Sequence, residues 1–222
     1  DAARQLSGAR DQAAQREAMD DLVAKAGVAP AVCKVAIRTL GSAEQADDDD
    51  ALARHRPQLA ALIEGCIEAA PRLAGSMGPK ALLAALGEDY EKARSSGQEV
   101  DVDDAEGLHE LRKAVVNHRY QMELFTPFWP AQGKLWETEL QRLREKLGKH
   151  HDLAVLIKRL DDNPPTTIAE RKWHTPLYEA AHARQQRLAI SAMRLHARLF
   201  AERPKAFRRR LGAYMNPMSD GE

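Results

Sequence analysis

Between its glycine and proline breaks, almost every segment of this chain repeats its apolar residues at three- and four-residue steps, the period of a helix buried along one face. No stretch alternates apolar with polar residues, rich in Val, Ile, Thr and aromatics, for long enough to form a strand. The pattern predicts an all-α protein. Helices are expected near residues 2–26, 30–40, 49–75, 79–95, 104–126, 131–148, 150–161, 168–202 and 205–214. Gly27, Gly41, Gly97, Gly148, Pro127 with Pro130, and the turn Asn163, Pro164, Pro165 are read as the breaks. The acidic run Asp47–Asp50 is expected to cap a helix N-terminus rather than to bind calcium, because carboxylates there complement the helix dipole. Residues 99–106 read as a loop running into another cap.

A length of 222 residues suffices for one large domain or two modules of about 100 residues. No run of about 18 apolar residues appears, and no signal peptide is visible, so neither membrane insertion nor export is expected. The first residue is Asp1 rather than Met, which leaves room for a targeting segment or a further domain upstream. Cys33 and Cys66 are widely spaced within apolar helical patterns and are expected to be free, buried thiols in a reducing cytoplasm. The zero net charge conceals an asymmetry. Residues 1–108 hold 12 Lys/Arg against 20 Asp/Glu, whereas residues 109–210 hold 21 against 11, together with seven of the eight histidines. A strongly basic second half suits a polyanionic partner.

An offset of 141 residues lays Leu6 to Asp11 over Leu147 to Asp152, pairing Arg10 with His151, Met19 with Leu160, and Asp20 and Asp21 with Asp161 and Asp162. The chain therefore reads as two related halves, residues 1–100 and 101–214, followed by a tail over 215–222. The counterpart of His109 would precede residue 1, so the first half is expected to be truncated at its N-terminus.

Three segments bear the candidate chemistry. The first, LHELRKAVVNHRY from Leu108, sets His109, Arg112 and Lys113 at helical spacing, with Arg119 two turns on. Leu108, Leu111, Val115, Met122 and Phe125 form its buried face, and His118 falls within that seam, where a packed histidine is expected rather than a ligand. The second, LGKHHDLAVL from Leu147, is expected to break at Gly148, which would bring His150 and His151 near a helix N-terminus, a natural anion site. Its His151–Asp152 pair also suggests a metal-dependent phosphohydrolase, although two residues do not specify a metal site. In the third segment, Leu177, Ala181, Leu188, Ala192, Leu195 and Leu199 form a heptad-like seam in which Arg184 takes an inward position. An inward guanidinium must meet a carboxylate or line a wet, anion-accepting cavity. Arg187, Arg194 and Arg198 run beside it, and RPKAFR from Arg203 places Pro204 at a helix start, so that Lys205, Arg208 and free N–H groups converge on one oxyanion. Tyr120, Phe125, Phe128, Trp129 and Trp136 follow apolar seams or turns and are expected to pack rather than to stack bases.

With these residues the chain resembles the conserved-histidine α-helical domain family, CHAD. The similarity lies in LHELRKAVVNHRYQMELF, LGKHHDLAVL and RLFAERPKAFRRRL, in the family's order, with LSGARDQAA resembling the end of the first-half motif. The resemblance implies two pseudo-symmetric four-helix bundles enclosing a basic central cavity that binds inorganic polyphosphate. It also implies association with polyphosphate granules, sometimes through fusion to a CYTH triphosphatase domain. The family's histidine and arginine positions match His109, Arg112 and Arg119, supported by Lys113. Arg10 matches the arginine of the first-half pattern, and His151 stands where the second half would hold its arginine, implying pH-dependent phosphate binding there. Val116 and Asn117 replace a pair often Lys-Arg in relatives, which weakens that turn.

The expectation is a non-catalytic domain without cofactor or metal, cytoplasmic and granule-associated. It is expected to bind polyphosphate, phosphate or sulfate through Arg10, His109, Arg112, Lys113, Arg119, His151, Arg184, Arg187, Lys205 and Arg208, and no membrane. The rivals are the metal-dependent phosphohydrolase at His151 and Asp152, a nucleic-acid-binding helical protein using the same cations, and an interaction module with no small anion.

Overall fold

The structure, a computed structural model, describes residues 7–41, 48–74 and 78–216, with side chains described for 14–40, 56–71 and 78–216. Among the described residues there are eight helices and no strand, as the apolar periodicity requires. They are α1 (Ser7–Ala26), α2 (Pro30–Gly41), α3 (Asp48–Ala74), α4 (Pro79–Glu99), α5 (Ala105–Phe125), α6 (Pro130–Asp162), α7 (Ile168–Leu199) and α8 (Pro204–Met215). None is long and apolar enough to cross a membrane. The side chains of Asp47–Asp50 lie outside the described residues.

Local chemistry sets most of the helix ends. Gly27 follows α1 with φ at +72°, a left-handed conformation that only glycine adopts without strain. Asp104 caps α5 by accepting the Gly107 N–H at 2.9 Å. Thr167 and Glu170 form a reciprocal box at the start of α7: the Thr167 hydroxyl accepts the Glu170 N–H at 3.1 Å, and the Glu170 carboxylate accepts the Thr167 N–H at 3.0 Å. Hydrogen bonds donated to the carboxylate by the Thr166 N–H and hydroxyl, and then by the Thr167 N–H, hold the Glu170 carboxyl below its usual range.

Two expected breaks are absent. Residues 131–161 form one helix rather than two, because Leu143, Leu147, His150 and Leu153 continue a single buried stripe through Gly148. A helix-internal glycine costs about 1 kcal/mol relative to alanine, less than the burial of one leucine supplies. Gly97 likewise lies inside α4, which runs to Glu99. The reason is tertiary: a Cβ at residue 97 would stand 2.2 Å from the His196 ring. That ring is buried and hydrogen-bonded to the Ala93 carbonyl at 2.9 Å, so it has nowhere to move. Gly97→Ala is therefore expected to destabilise the protein by roughly 1–3 kcal/mol, opposite in sign to the same change on an exposed helix face. A melting temperature at or above that of the parent would contradict this packing.

The chain divides into two compact units, one of Asp1–Ala74 with Asp152–Gln185, the other of Gly75–His151 with Gln186–Glu222. In the first, Met19, Leu22, Ala36, Leu156, Leu160, Leu177 and Ala181 are buried. Met19 and Leu160, equivalent under the 141-residue repeat, are both fully covered. In the second, Leu86, Tyr90, Leu108, Leu111, Val115, Phe125, Leu143, Leu147, Ala192, Phe207 and Leu211 form one core. Tyr90 stacks on Phe207 with ring centroids 3.9 Å apart, and its hydroxyl donates to the Glu202 carbonyl at 2.9 Å. Each such large side chain contributes about 1.5–3 kcal/mol by leaving water.

Two expectations about burial need correction. Cys66 is exposed on α3, whereas Cys33 is buried; both are free. Tyr120, Phe128 and Trp129 are exposed rather than packed in the core, since the first sits on the outer face of α5 and the others in the α5–α6 turn. Trp129 meets Tyr214 edge to face, with centroids 4.6 Å apart.

Candidate functional site

The hydrophobic seam of α5 turns Leu108, Leu111 and Val115 into the core of the second unit, which leaves His109 and Arg112 along the seam's border toward α6. There the two histidine-bearing segments meet. The rings of His109 and His151 stack with centroids 4.2 Å apart and planes inclined by 27°. One turn along each helix, Arg112 lies over Gly148, where a Cβ would stand 3.6 Å from the guanidinium Nε. Advancing along α5 while receding along α6, the two contacts show that these helices run antiparallel here. Gly148 thus lies inside α6, facing Arg112, rather than ending a helix, and a Cβ there would reach only ordinary contact distance. His151 accordingly lies within α6, not at a helix N-terminus, and the anion site expected from free N–H groups is replaced by one built from side chains.

His150 has a different role from its neighbour. It is buried, and burial, with repulsion from His151, pushes its pKa down to about 4. It belongs to the core, not to an anion site. His118 is also buried, as its place in the apolar seam implied, between the rings of Tyr90, Phe200 and Phe207. Desolvation alone holds its pKa near 4.

The other expected ligands are dispersed. Arg119, two turns beyond Arg112, is mostly buried, bonds Glu123 at 2.7 Å and lies 4.6 Å from the centre of the Tyr120 ring. Its Nε is buried without a hydrogen-bond partner among the described residues. Lys113 points to the surface and pairs with Glu110 at 2.6 Å. Arg208 and Lys205 are exposed on α8, which does begin at Pro204. The stem of Arg208 lies directly over Gly87 of α4, where a Cβ would come within 2.1 Å of it. Arg187 is exposed on α7. All of these belong to the second unit.

Arg184 and Arg10 belong to the first unit. The inward Arg184 meets a carboxylate: its Nε and Nη2 donate to Asp21 at 2.7 and 3.3 Å, with Asp21 nearly fully buried. Of the two alternatives for an inward guanidinium, the structure thus shows the ion pair. Arg10 lies on α1, and its side chain falls outside the described residues.

Sequence reasoning missed one participant. Lys146 of α6 donates to the Ser191 hydroxyl of α7 at 2.9 Å, a contact across 45 residues that periodicity does not reveal. The charge environment also becomes sharper. From Arg187 to Met215 the chain holds eight Lys/Arg and a single acid, Glu202, which Arg210 occupies with bonds of 3.1 and 2.6 Å. Such an excess of cations favours anion capture and gives the surface a field that salt screens. Among the described residues, no three His, Cys, Asp or Glu side chains stand close enough to hold a metal ion.

A family model for the CHAD domain matches residues 1–161, which includes the segments from Leu108 and Leu147 and excludes the one from Arg198. No curated protein and no solved structure matches the chain.

Proposed function

The chain belongs to the CHAD domain family, and from that premise we propose that it binds inorganic polyphosphate through its basic second half and performs no chemistry of its own. The observation that carries this reading is the meeting of His109 with His151 and of Arg112 with Gly148, which gathers a guanidinium and two imidazoles from two distant segments at the edge of one core. Polyphosphate bears about one negative charge per phosphate. Binding therefore displaces counterions and draws on many cations, much as nucleic-acid backbones do. Arginine supplies paired N–H donors for phosphate oxygens, and imidazole adds charge as pH falls. The same proposal includes the pseudo-symmetric two-bundle arrangement with a basic cavity, and recruitment to polyphosphate granules.

The test is a binding isotherm for long-chain polyphosphate over a range of salt. Affinity is expected to fall linearly with salt on logarithmic axes, with a slope reporting several phosphate contacts. Transfer RNA at equal salt is expected to compete poorly, because the exposed aromatics are scattered rather than arrayed for base stacking. Equal competition would favour the nucleic-acid reading. Phosphate release that a chelator stops, together with stoichiometric metal by elemental analysis, would favour the phosphohydrolase reading instead.

A further inference from the structure

We propose that Lys146 and Ser191, flanked by Arg187 and Arg194, form a second oxyanion site between α6 and α7 of the second unit, with a single phosphate or sulfate group as its ligand. Two half-buried cations of this unit are matched by carboxylates, Arg119 by Glu123 and Arg210 by Glu202. Lys146 is half-buried as well, yet its hydrogen-bond partner is the neutral Ser191 hydroxyl, and among the described residues no carboxylate lies within ion-pair range of it. A partly desolvated ammonium facing only a hydroxyl retains most of the cost of leaving water, and an anion offsets that cost.

The local chemistry suits an oxyanion. The Ser191 oxygen accepts from the Lys146 ammonium, so the serine O–H is left to donate to a phosphate oxygen beside the two remaining ammonium hydrogens. Arg187 lies four residues before Ser191 and Arg194 three after, so both share its face of α7, and both are exposed. The stretch Gln186–Leu199 contains no Asp or Glu. On α6, Glu139 is bonded to Arg142 at 2.5 Å and Glu145 accepts from Gln141 at 2.9 Å, so the nearby acids have other partners.

This inference deepens the polyphosphate reading in one respect, that a long chain would reach this site as well as the His109–His151 cluster; the site itself needs only one oxyanion. Its test is therefore a titration with inorganic phosphate at constant ionic strength, followed by melting temperature. The parent is expected to show a saturable rise that Lys146→Met abolishes, Lys146→Arg largely retains and Ser191→Ala weakens several-fold. Should Lys146→Met fail to fold, Ser191→Ala decides the matter, since removing one hydroxyl leaves the packing in place. Equal phosphate responses in the parent and in these variants would overturn the site. Saturable phosphate uptake lost in Lys146→Met, without any binding of long-chain polyphosphate, would uphold this site while refuting the polyphosphate reading. A phosphate response kept in Lys146→Met, together with long-chain polyphosphate binding of parental affinity and salt slope, would do the reverse.

Discussion

Reversing Arg112 to Glu is expected to weaken binding of long-chain polyphosphate by about 100-fold or more, and adding Arg119→Glu to abolish it, while helicity is kept. The first effect follows from position. Arg112 lies over Gly148 in the cluster where His109 meets His151, so a carboxylate there faces the incoming phosphate instead of a fork of donors. Losing a charge-assisted hydrogen bond costs about 1.5–3 kcal/mol, and the reversed charge adds repulsion. Arg119 gives a smaller increment of its own, since Glu123 already engages it and must share or release it. Lys113→Glu serves as the contrast. Its ammonium is exposed and held by Glu110, so its reversal is expected to change affinity only a few-fold. Isothermal titration checks the affinities and circular dichroism the fold; a folded Arg112→Glu, Arg119→Glu protein with parental affinity would defeat the polyphosphate proposal.

Acid is expected to destabilise the second unit well before its carboxylates titrate. His118 and His150 carry folded-state pKa values pushed from 6.5 down to about 4, in both cases chiefly by burial. Below pH 6.5 the unfolded chain takes up protons that the folded chain refuses, so stability falls as pH falls, with the loss complete near pH 4. For His118, which is almost entirely enclosed, the loss is about 3 kcal/mol. His150 adds in the same direction, as does His196, whose pKa is lowered by burial against the opposing bond to the Ala93 carbonyl. A loss of this size is a large fraction of typical domain stability. Urea unfolding from pH 8 to pH 4 measures it. His118→Phe is expected to flatten the profile: the ring is surrounded by Tyr90, Phe200 and Phe207, its Nδ1 has no hydrogen-bond partner among the described residues, and a cavity of about 20 Å³ adjoins it. A variant as acid-sensitive as the parent would show that the proton is taken up elsewhere. Binding assays consequently belong near neutral pH, where acid unfolding does not confound them.

Several features of the fold were legible because they depend on neighbours in the chain. The apolar period of α5 located both its buried face and the packed His118. Gly27 marked a helix end, and residues 99–106 read as a loop running into a cap, which Asp104 supplies. The same reasoning failed at Gly97 and Gly148, both of which lie inside helices: the His196 ring fills the space a Cβ would need beside Gly97, and the buried stripe of α6 carries the helix through Gly148. It also failed for Cys66, Tyr120 and Trp129, since an apolar residue on a helix is buried only where a partner covers it.

The sequence by itself determined the all-helical class, the concentration of cations after residue 108 and the motifs that identify the family, because periodicity, composition and motif spacing are properties of the chain alone. Only the tertiary structure decided what each charge faces. Asp21 meets Arg184 across 163 residues, Lys146 finds Ser191 rather than a carboxylate, and His109 stacks on His151. Electrostatic interaction depends on distance through space and on burial. Identical arginines in one basic segment therefore end as a neutralised core pair, as a surface charge or as a candidate phosphate ligand, according to the helix packed against each.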